Sequence, residues 1–236
     1  MIVMGSVITF DVGNTRTKFA VFSADGSLID SGADCEIADV LNRYDGAKVI
    51  YSTVLKEVND HLTDKTAFSV SLCRDIQILV KNTETLGKDR LAAVMGAKFL
   101  FGDKNCLVID AGTCITYDYL LGNGDYLGGA ISMGIGMRYR ALNEFTSKLP
   151  SLNKEEGEGE IDDIGGHTAE AIHSGVCIGF FDEVNARIDR FKAKYDNSMV
   201  ILTGGDANFL AKHIKYEIFV EPLLVHYGLY HAIQTA

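Results

Sequence analysis

Residues Ile8 to Lys18 read ITFDVGNTRTK, and this stretch organises the rest of the chain. Its apolar start predicts a buried strand that delivers Asp11 to a turn at Gly13, and the alternation from Thr17 onward predicts a second strand running back. Glycine lets a backbone N–H approach an anion, Thr15 and Lys18 can donate to phosphate oxygens, and Asp11 can hold hydrated Mg²⁺. A single turn of this kind is usually a plain hairpin.

The same pattern occurs a second time, at residues Leu107 to Tyr117, which read LVIDAGTCITY. When Asp110 is aligned on Asp11, Gly112 pairs with Gly13 and Thr116 with Thr17. Each copy is followed by an acidic glycine turn and another apolar segment, which indicates an internal duplication. If the two carboxylate turns faced each other, they would form a cleft with phosphate donors on both sides.

Length and element order predict two domains, residues 1–104 and 105–236, because 236 residues suffice for two cores. In the first domain we expect three strands, a helix at Ile37–Tyr44, a strand at Lys48–Tyr51 and a helix near Leu55–Leu62. Ser52 and Thr53 could line a cleft, but they are interpreted as solvent-facing helix caps. This order predicts an α/β fold of two tandem ribonuclease-H-like domains, each a βββαβα unit.

Composition excludes several classes of function. The net charge of −10 and the lack of a basic run argue against nucleic acid and anionic membranes as partners. Five cysteines without CxxC pairs indicate reduced thiols. We expect neither a signal peptide nor a membrane span, and therefore a cytoplasmic protein.

Further patterns predict helices beside polar groups. GKDR at Gly87–Arg90 precedes an expected helix, so Asp89 would lie near the first turn, where an acidic residue is ordinarily a favourable cap. GGAISMGIGM at Gly128–Met137 precedes a helix and suits a phosphate at its N-terminus. Residues 151–166 form an acidic, glycine-rich loop, and the apolar stripe from Ile172 to Phe191 is either core or a dimer seam.

Five motifs occur in one order and resemble those of the type III pantothenate kinases, members of the acetate kinase, sugar kinase, Hsp70 and actin superfamily. They are DVGNTRTK, GKDR, DAGTCIT, GGAISMGIGM and TGGDA at Thr203–Ala207. The resemblance spans nearly the whole chain, and GKDR makes it specific to this kinase type. It implies ATP-dependent phosphorylation of pantothenate to 4'-phosphopantothenate, the first step of coenzyme A biosynthesis.

The resemblance also implies a role for individual residues. Asp89 would accept the proton of the substrate hydroxyl, Asp11 would hold Mg²⁺ through water, and Asp110 would hold a monovalent cation, K⁺ or NH₄⁺. The implied ATP-binding and phosphate-binding residues are Asp11, Val12, Gly13, Asn14, Thr15, Arg16, Thr17, Lys18, Gly112, Thr113, Gly204 and Gly205. The implied pantothenate-binding residues are Val80, Gly87, Lys88, Asp89, Arg90 and Thr168, in a homodimer.

The chain departs from the family pattern at three positions. Val80 stands where the family usually has a tyrosine, Met133 where it has a proline, and His167 where it has an asparagine. Two alternatives stay open: another small-molecule kinase or phosphatase of the superfamily, and a non-enzymatic nucleotide-binding regulator. Intact Asp11, Lys18, Asp89 and Asp110 argue against the regulator.

Overall fold

The structure is a computed structural model that describes residues 5–13, 16–53, 55, 57–157 and 161–235. Asn14 and Thr15 of the predicted phosphate turn lie outside the described residues. The strands are β1 (Val7–Val12), β2 (Thr17–Phe22), β3 (Leu28–Ala33), β4 (Lys48–Thr53), β5 (Thr66–Ala67), β6 (Gln77–Ile78), β7 (Asn105–Ala111), β8 (Cys114–Leu120), β9 (Asp125–Met133), β10 (Ser198–Thr203) and β11 (Phe219–Val220).

The α-helices are α1 (Ile37–Arg43), α2 (Lys88–Phe101), α3 (Ile135–Glu144), α4 (Thr168–His173), α5 (Gly179–Lys194), α6 (Ala207–Ala211) and α7 (Leu224–Gln234). The predicted mixed α/β fold with two sheets is confirmed. In each half a three-stranded segment is followed by helix and then by a strand parallel to the first strand, β4 beside β1 and β10 beside β7.

By packing, the chain divides into two compact units. One comprises Met1–Lys104, Tyr119–Gly128 and Leu223–Ala236, and the other comprises Asn105–Asp118 and Gly129–Pro222. Two segments that the sequence placed in the second domain therefore pack with the first unit. The contiguous domains 1–104 and 105–236 stay a prediction.

The sheet of the first unit has the order β3-β2-β1-β4-β5 and two chemically different faces. Side chains alternate along a strand, so Ile8, Phe10 and Val12 share one face, where they form an apolar core with Ile37 and Val40 of α1. Thr9 and Asp11 consequently share the opposite face. That face packs against α7, which hydrogen-bonds to Thr9.

Helices α2 and α7 pack closely because each has a glycine at the crossing. A Cβ atom at Gly96 would lie 2.1 Å from the carbonyl oxygen of Leu224, and one at Gly228 would lie 1.8 Å from the carbonyl oxygen of Ala92. The backbones touch directly, which leaves no room for a side chain at either position.

In the second unit β10 lies between β7 and β11 and is parallel to both. The stripe that begins at Ile172 runs through α4, a π-helix at Ser174–Ile178 and α5. Val184, Ile188 and Phe191 are at most 1% exposed in the single chain. This part of the stripe is therefore core.

The helix predicted near Leu55–Leu62 is wrong. Within the described part of this segment the chain forms a 3₁₀ turn at Asp60–Leu62. The interpretation of Ser52 as a solvent-facing cap is wrong as well, because Ser52 is 1% exposed inside β4. Among the described residues, no helix is both long enough and apolar enough to cross a bilayer.

We predict that Gly228→Ala lowers the free energy of unfolding by about 2–3 kcal/mol, because the added methyl group forces α2 and α7 apart. The measurement is urea unfolding followed by circular dichroism. Gly179→Ala is the matched control, since no atom lies within 4 Å of the new Cβ position in this helical glycine. It should be neutral or slightly stabilising. Equal effects of the two substitutions would contradict the close crossing.

Candidate active site

The first half of the site lies at the carboxyl end of β1, where Asp11 has a polar neighbour on each side. Lys18 of β2 and Ser52 of β4 are its register partners. Burial raises the pKa of Asp11 to about 6, the charge of Lys18 opposes this shift, and the charge of Asp89 adds to it. A carboxylate in this setting gains from a cation, and an oxygen ligand of this type suits Mg²⁺.

Asp89, whose charge adds to the raised pKa of Asp11, lies at the start of α2. Gly87 is the N-cap of α2, and Asp89 Oδ1 accepts a hydrogen bond of 2.8 Å from the backbone N–H of Arg90. A Cβ atom at Gly87 would lie 2.6 Å from Asp89 Oδ1. The glycine of the GKDR motif thus leaves room for the Asp89 carboxylate.

The other predicted residues of the first hairpin differ in how they can contact a ligand. Val12 has its side chain in the core, which leaves its backbone groups. The N–H of Gly13 donates to the carbonyl oxygen of Arg16 over 3.0 Å. Arg16 is exposed, and its Nε lies 3.5 Å from Asp34 Oδ2. Thr17 is half-buried at the start of β2.

In the second unit Asp110 lies at the end of β7, directly beside the TGGDA turn. Thr203 is its register partner on β10. A Cβ atom at Gly204, which has a φ of +95°, would lie 2.4 Å from Asp110 Oδ1. Only glycine suits both this backbone and this contact. Gly205 is exposed and faces open space, so this turn leaves a flat backbone surface accessible.

Helix α3 starts against the second hairpin. The N–H of Gly134 donates to the carbonyl oxygen of Thr113 over 3.2 Å, and a Cβ atom there would lie 2.0 Å from the carbonyl oxygen of Gly112. The free N–H groups of a helix N-terminus attract anions. The exposed Thr113 and this helix start therefore lie next to each other.

The residues predicted to bind the small substrate lie in both units. Val80 is half-buried, Lys88 is exposed at the first position of α2, and Arg90 is half-buried. In the second unit Thr168 is exposed at the first position of α4. Thr168 lines an apolar groove of about 800 Å³, together with Met133, Arg138, Ala141, Leu142, Phe145, Thr146, Leu149, Ala171, Ile172, Gly175 and Val176.

Sequence reasoning missed two buried polar side chains near Asp11, those of Ser52 and His226. His226 lies in α7 and is 1% exposed, and its Nδ1 is 2.8 Å from Thr9 Oγ1. Ser52 could have been found from its place one residue past a predicted buried strand. No sequence signal points to His226, because its partner is 217 residues away. Among the described residues, no cluster of three or more His, Cys, Asp or Glu side chains could hold a metal ion.

We predict that Asp11→Asn stabilises the ligand-free protein at pH 7.5 by about 3 kcal/mol, although it removes a site residue. The native pKa of about 6 exceeds the ordinary value of 3.8. The cost of the buried charge is therefore absent below pH 3.8, grows up to pH 6 and is fully present above it. Urea unfolding of both proteins at pH 4 and pH 7.5 measures the difference. Asp45→Asn, on an exposed turn, is the control. A gain in stability that is equal at both pH values would contradict the prediction.

Known proteins share the sequence and the architecture of this chain. The family model of type III pantothenate kinase matches residues 7–190. A type III pantothenate kinase of Flavobacterium johnsoniae is 38% identical over 231 residues, covering 90% of this chain and 91% of the relative. One from Porphyromonas gingivalis strain W83 is 41% identical over 229 residues, covering 93% and 94%.

Solved structures show the same fold at lower identity. A Campylobacter jejuni protein named as a Baf family transcriptional activator has a TM-score of 0.62 at 24% identity, with coverage of 96% and 97%. The activator of 2-hydroxyisocaproyl-CoA dehydratase from Clostridium difficile, solved with ADPNP, has a TM-score of 0.57 at 16% identity, with coverage of 98% and 95%. The family model and the sequence relatives together show that the chain belongs to the type III pantothenate kinases, which phosphorylate pantothenate in coenzyme A biosynthesis.

Proposed function

We propose that this chain transfers the γ-phosphoryl group of ATP to the primary hydroxyl of pantothenate, with Asp11 and Asp89 as the central acidic residues. The observation that carries the proposal is their proximity within one unit, at the end of β1 and the start of α2. Two carboxylates with different surroundings suit two tasks, holding a metal ion and accepting a proton.

Positioning and neutralisation of charge dominate phosphoryl transfer, because its transition state is loose. Asp11 would hold Mg²⁺ through water, and the ion would neutralise phosphate oxygens when bound. Lys18, beside Asp11, adds positive charge on the same face of the sheet. Asp89 takes the proton of the attacking hydroxyl, and its hydrogen bond to the N–H of Arg90 fixes the carboxylate for this role.

The second unit would hold the remaining parts of the nucleotide. Gly112 and Thr113 would donate to phosphates beside the start of α3, and Gly204 and Gly205 would support the adenosine. Asp110 would hold K⁺ or NH₄⁺. Its carboxylate lies against the Gly204 backbone, an arrangement that suits a loosely coordinated ion with backbone ligands.

Pantothenate recognition would rest on Arg90 and Thr168. The guanidinium group of Arg90 can bind the pantothenate carboxylate in bidentate fashion, and it follows Asp89 directly. Thr168 would donate its hydroxyl. Val80 replaces an aromatic side chain, so we expect one contact fewer, which corresponds to roughly ten- to thirtyfold weaker binding.

A homodimer is part of the proposal. The groove lined by Thr168 is apolar, and Phe145 on its wall is 85% exposed while Met133 is 46% exposed. Large apolar side chains at a concave surface favour a protein contact. A second copy seated there would bring its own residues next to Thr168.

Two alternatives remain. A kinase of the same superfamily with a different small hydroxyl substrate would use the same phosphate machinery, and a panel of substrates distinguishes it. A non-enzymatic regulator would bind nucleotide without turnover. Release of ADP that depends on pantothenate separates both from the proposed activity.

We predict that Asp89→Asn and Arg90→Ala fail in different ways. Asp89→Asn should lower kcat at least about a hundredfold and leave pantothenate binding nearly intact, because the base acts on the reacting hydroxyl. Arg90→Ala should instead raise KM for pantothenate. Calorimetry of Asp89→Asn with a non-hydrolysable ATP analogue and pantothenate measures the binding. If no pantothenate binds, the substrate assignment is wrong, and another kinase substrate becomes the better interpretation.

We predict a dimer by light scattering at micromolar concentration and its loss in Phe145→Glu, because a charge in the groove is costly to bury. Phe145→Glu should also weaken pantothenate turnover if the contact completes the surroundings of Thr168. Ile164→Glu is the matched control, since Ile164 is equally exposed at 85% but does not line the groove. An active wild-type monomer would refute the dimer.

A further inference from the structure

The face of the first sheet that carries Asp11 contains more polar groups than the proposed chemistry uses. Thr9 precedes Asp11 by two residues and so shares its face, and Ser52 is the register partner of Asp11 on β4. Helix α7 covers this face and places His226 on Thr9. Both Ser52 and His226 are 1% exposed.

The protonation state of His226 follows from its partner. Thr9 Oγ1 donates to the carbonyl oxygen of Ala20 over 3.1 Å, so its only hydrogen is already used. With that hydrogen on Ala20, we assign Nδ1 as the donor in the 2.8 Å contact between Thr9 Oγ1 and His226 Nδ1. Burial first, and the nearby charge of Lys18 second, lower the pKa of His226 to about 3. The ring is neutral, and Nε2 carries a lone pair.

That lone pair and the Ser52 hydroxyl are both unused. Within the described part of the chain, neither His226 Nε2 nor Ser52 Oγ has a hydrogen-bond partner, although both atoms are buried. Buried polar groups are almost always paired, if not with protein then with ordered water. One acceptor and one hydroxyl on the face of the sheet that carries Thr9 and Asp11 are what a bound water requires.

We propose that Ser52 and His226 hold a buried water that hydrogen-bonds to Asp11 and positions its carboxylate. Thr9 and Asp11 are two residues apart on one face of β1, which corresponds to about 6.6 Å along a strand. A water that makes two hydrogen bonds joins groups about 5.6 Å apart. One water can therefore contact both a group beside Thr9 and a group beside Asp11. The water donates one hydrogen to His226 Nε2 and the other to Asp11, and it accepts the hydrogen of Ser52 Oγ. Ser52 and His226 are thus positioning residues that act on Asp11 through the water.

The consequence for activity rests on the proposed function of Asp11 as the Mg²⁺-holding residue. A carboxylate fixed by the water presents its remaining oxygen lone pairs to the hydrated metal in one orientation. Loss of the water would leave the Asp11 side chain free to rotate, and Mg²⁺-dependent nucleotide binding would weaken. Nucleotide binding without Mg²⁺ would not change.

The first test is structural and needs no activity. A high-resolution crystal structure of the ligand-free wild-type protein should show a water within about 3.2 Å of both His226 Nε2 and Ser52 Oγ. Nitrogen-15 NMR of the imidazole should show a neutral ring protonated at Nδ1. An empty pocket, a direct bond from Lys18 Nζ to Nε2, or a ring protonated at Nε2 would overturn the proposal.

The second test is a double-mutant cycle with Ser52→Ala and His226→Leu. Each should weaken ADP binding in the presence of Mg²⁺ by roughly tenfold and leave binding in EDTA unchanged. The double variant should be no weaker than either single variant, because all three lose the same water. His226→Gln keeps an acceptor and should recover most of the affinity.

Ser6→Ala is the matched control, a buried serine at the opposite end of β1, and it should bind Mg-ADP as the wild type does. Additive losses, or equal losses with and without Mg²⁺, would indicate a structural role and overturn the proposal. If the protein binds Mg-ADP in this pattern but does not phosphorylate pantothenate, the proposed function fails and the water site stands.

Discussion

A carboxylate at the end of a buried strand is the constraint on which the first unit depends. Asp11 follows Phe10, which is fully buried, and burial raises the pKa of Asp11 above its ordinary value, so its ionised form is costly here. This local cost is offset by the apolar opposite face of the same strand. An unfavourably buried charge of this kind is typical of functional sites, where a side chain is held in position at a cost in stability.

Helices α2 and α7, which cross closely, each carry a polar residue that bears on Asp11. Both helices have to approach the Asp11 face, since α2 carries Asp89 at its start and α7 carries His226. Gly96 and Gly228 remove the side chains that would separate them. Packing at this crossing therefore sets the spacing between the two helices that carry Asp89 and His226.

The duplicated hairpins have diverged in a way that fits different tasks. In the first hairpin the N–H of Gly13 reaches the carbonyl oxygen of Arg16, three residues on. In the second, the N–H of Gly112 reaches the carbonyl oxygen of Cys114, two residues on, so the second turn is one residue tighter. The two repeats therefore align residue by residue up to the turn, and after the turn the alignment shifts by one residue. Asp110 consequently lies against the Gly204 backbone, whereas Asp11 has Lys18 beside it.

Local sequence patterns predicted strands and helices. Features that depend on packing between distant parts of the chain could not be predicted from them. The strand at Lys48–Thr53 and the start of α2 near Asp89 could be predicted, because periodicity and a helix-start motif lie within a few residues. The π-helix at Ser174–Ile178 could not, since it leaves the apolar spacing of the stripe almost unchanged. The burial of Ser52 depends on helices that begin dozens of residues later in the chain.

The three departures from the family pattern show which parts of the site tolerate substitution. His167 still caps α4, because its Nδ1 accepts from the N–H of Glu170 over 3.4 Å and Glu170 in return accepts from the N–H of Gly166 over 2.8 Å. Thr168 therefore keeps its place at the start of the helix. At Met133 a hydrogen bond of 3.0 Å from Arg138 Nε to the carbonyl oxygen holds the turn that a proline ring would otherwise stiffen.

Val80 differs from these two departures, because it does not precede a helix and its half-buried side chain packs against a neighbouring backbone. Its Cγ1 lies 2.9 Å from the position of a Cβ atom on Gly128, a residue with a φ of +83°. The small side chain thus packs against a backbone that itself excludes side chains. The departures at His167 and Met133 therefore concern how two helix starts are held, and under the proposed function the departure at Val80 concerns how tightly the substrate binds.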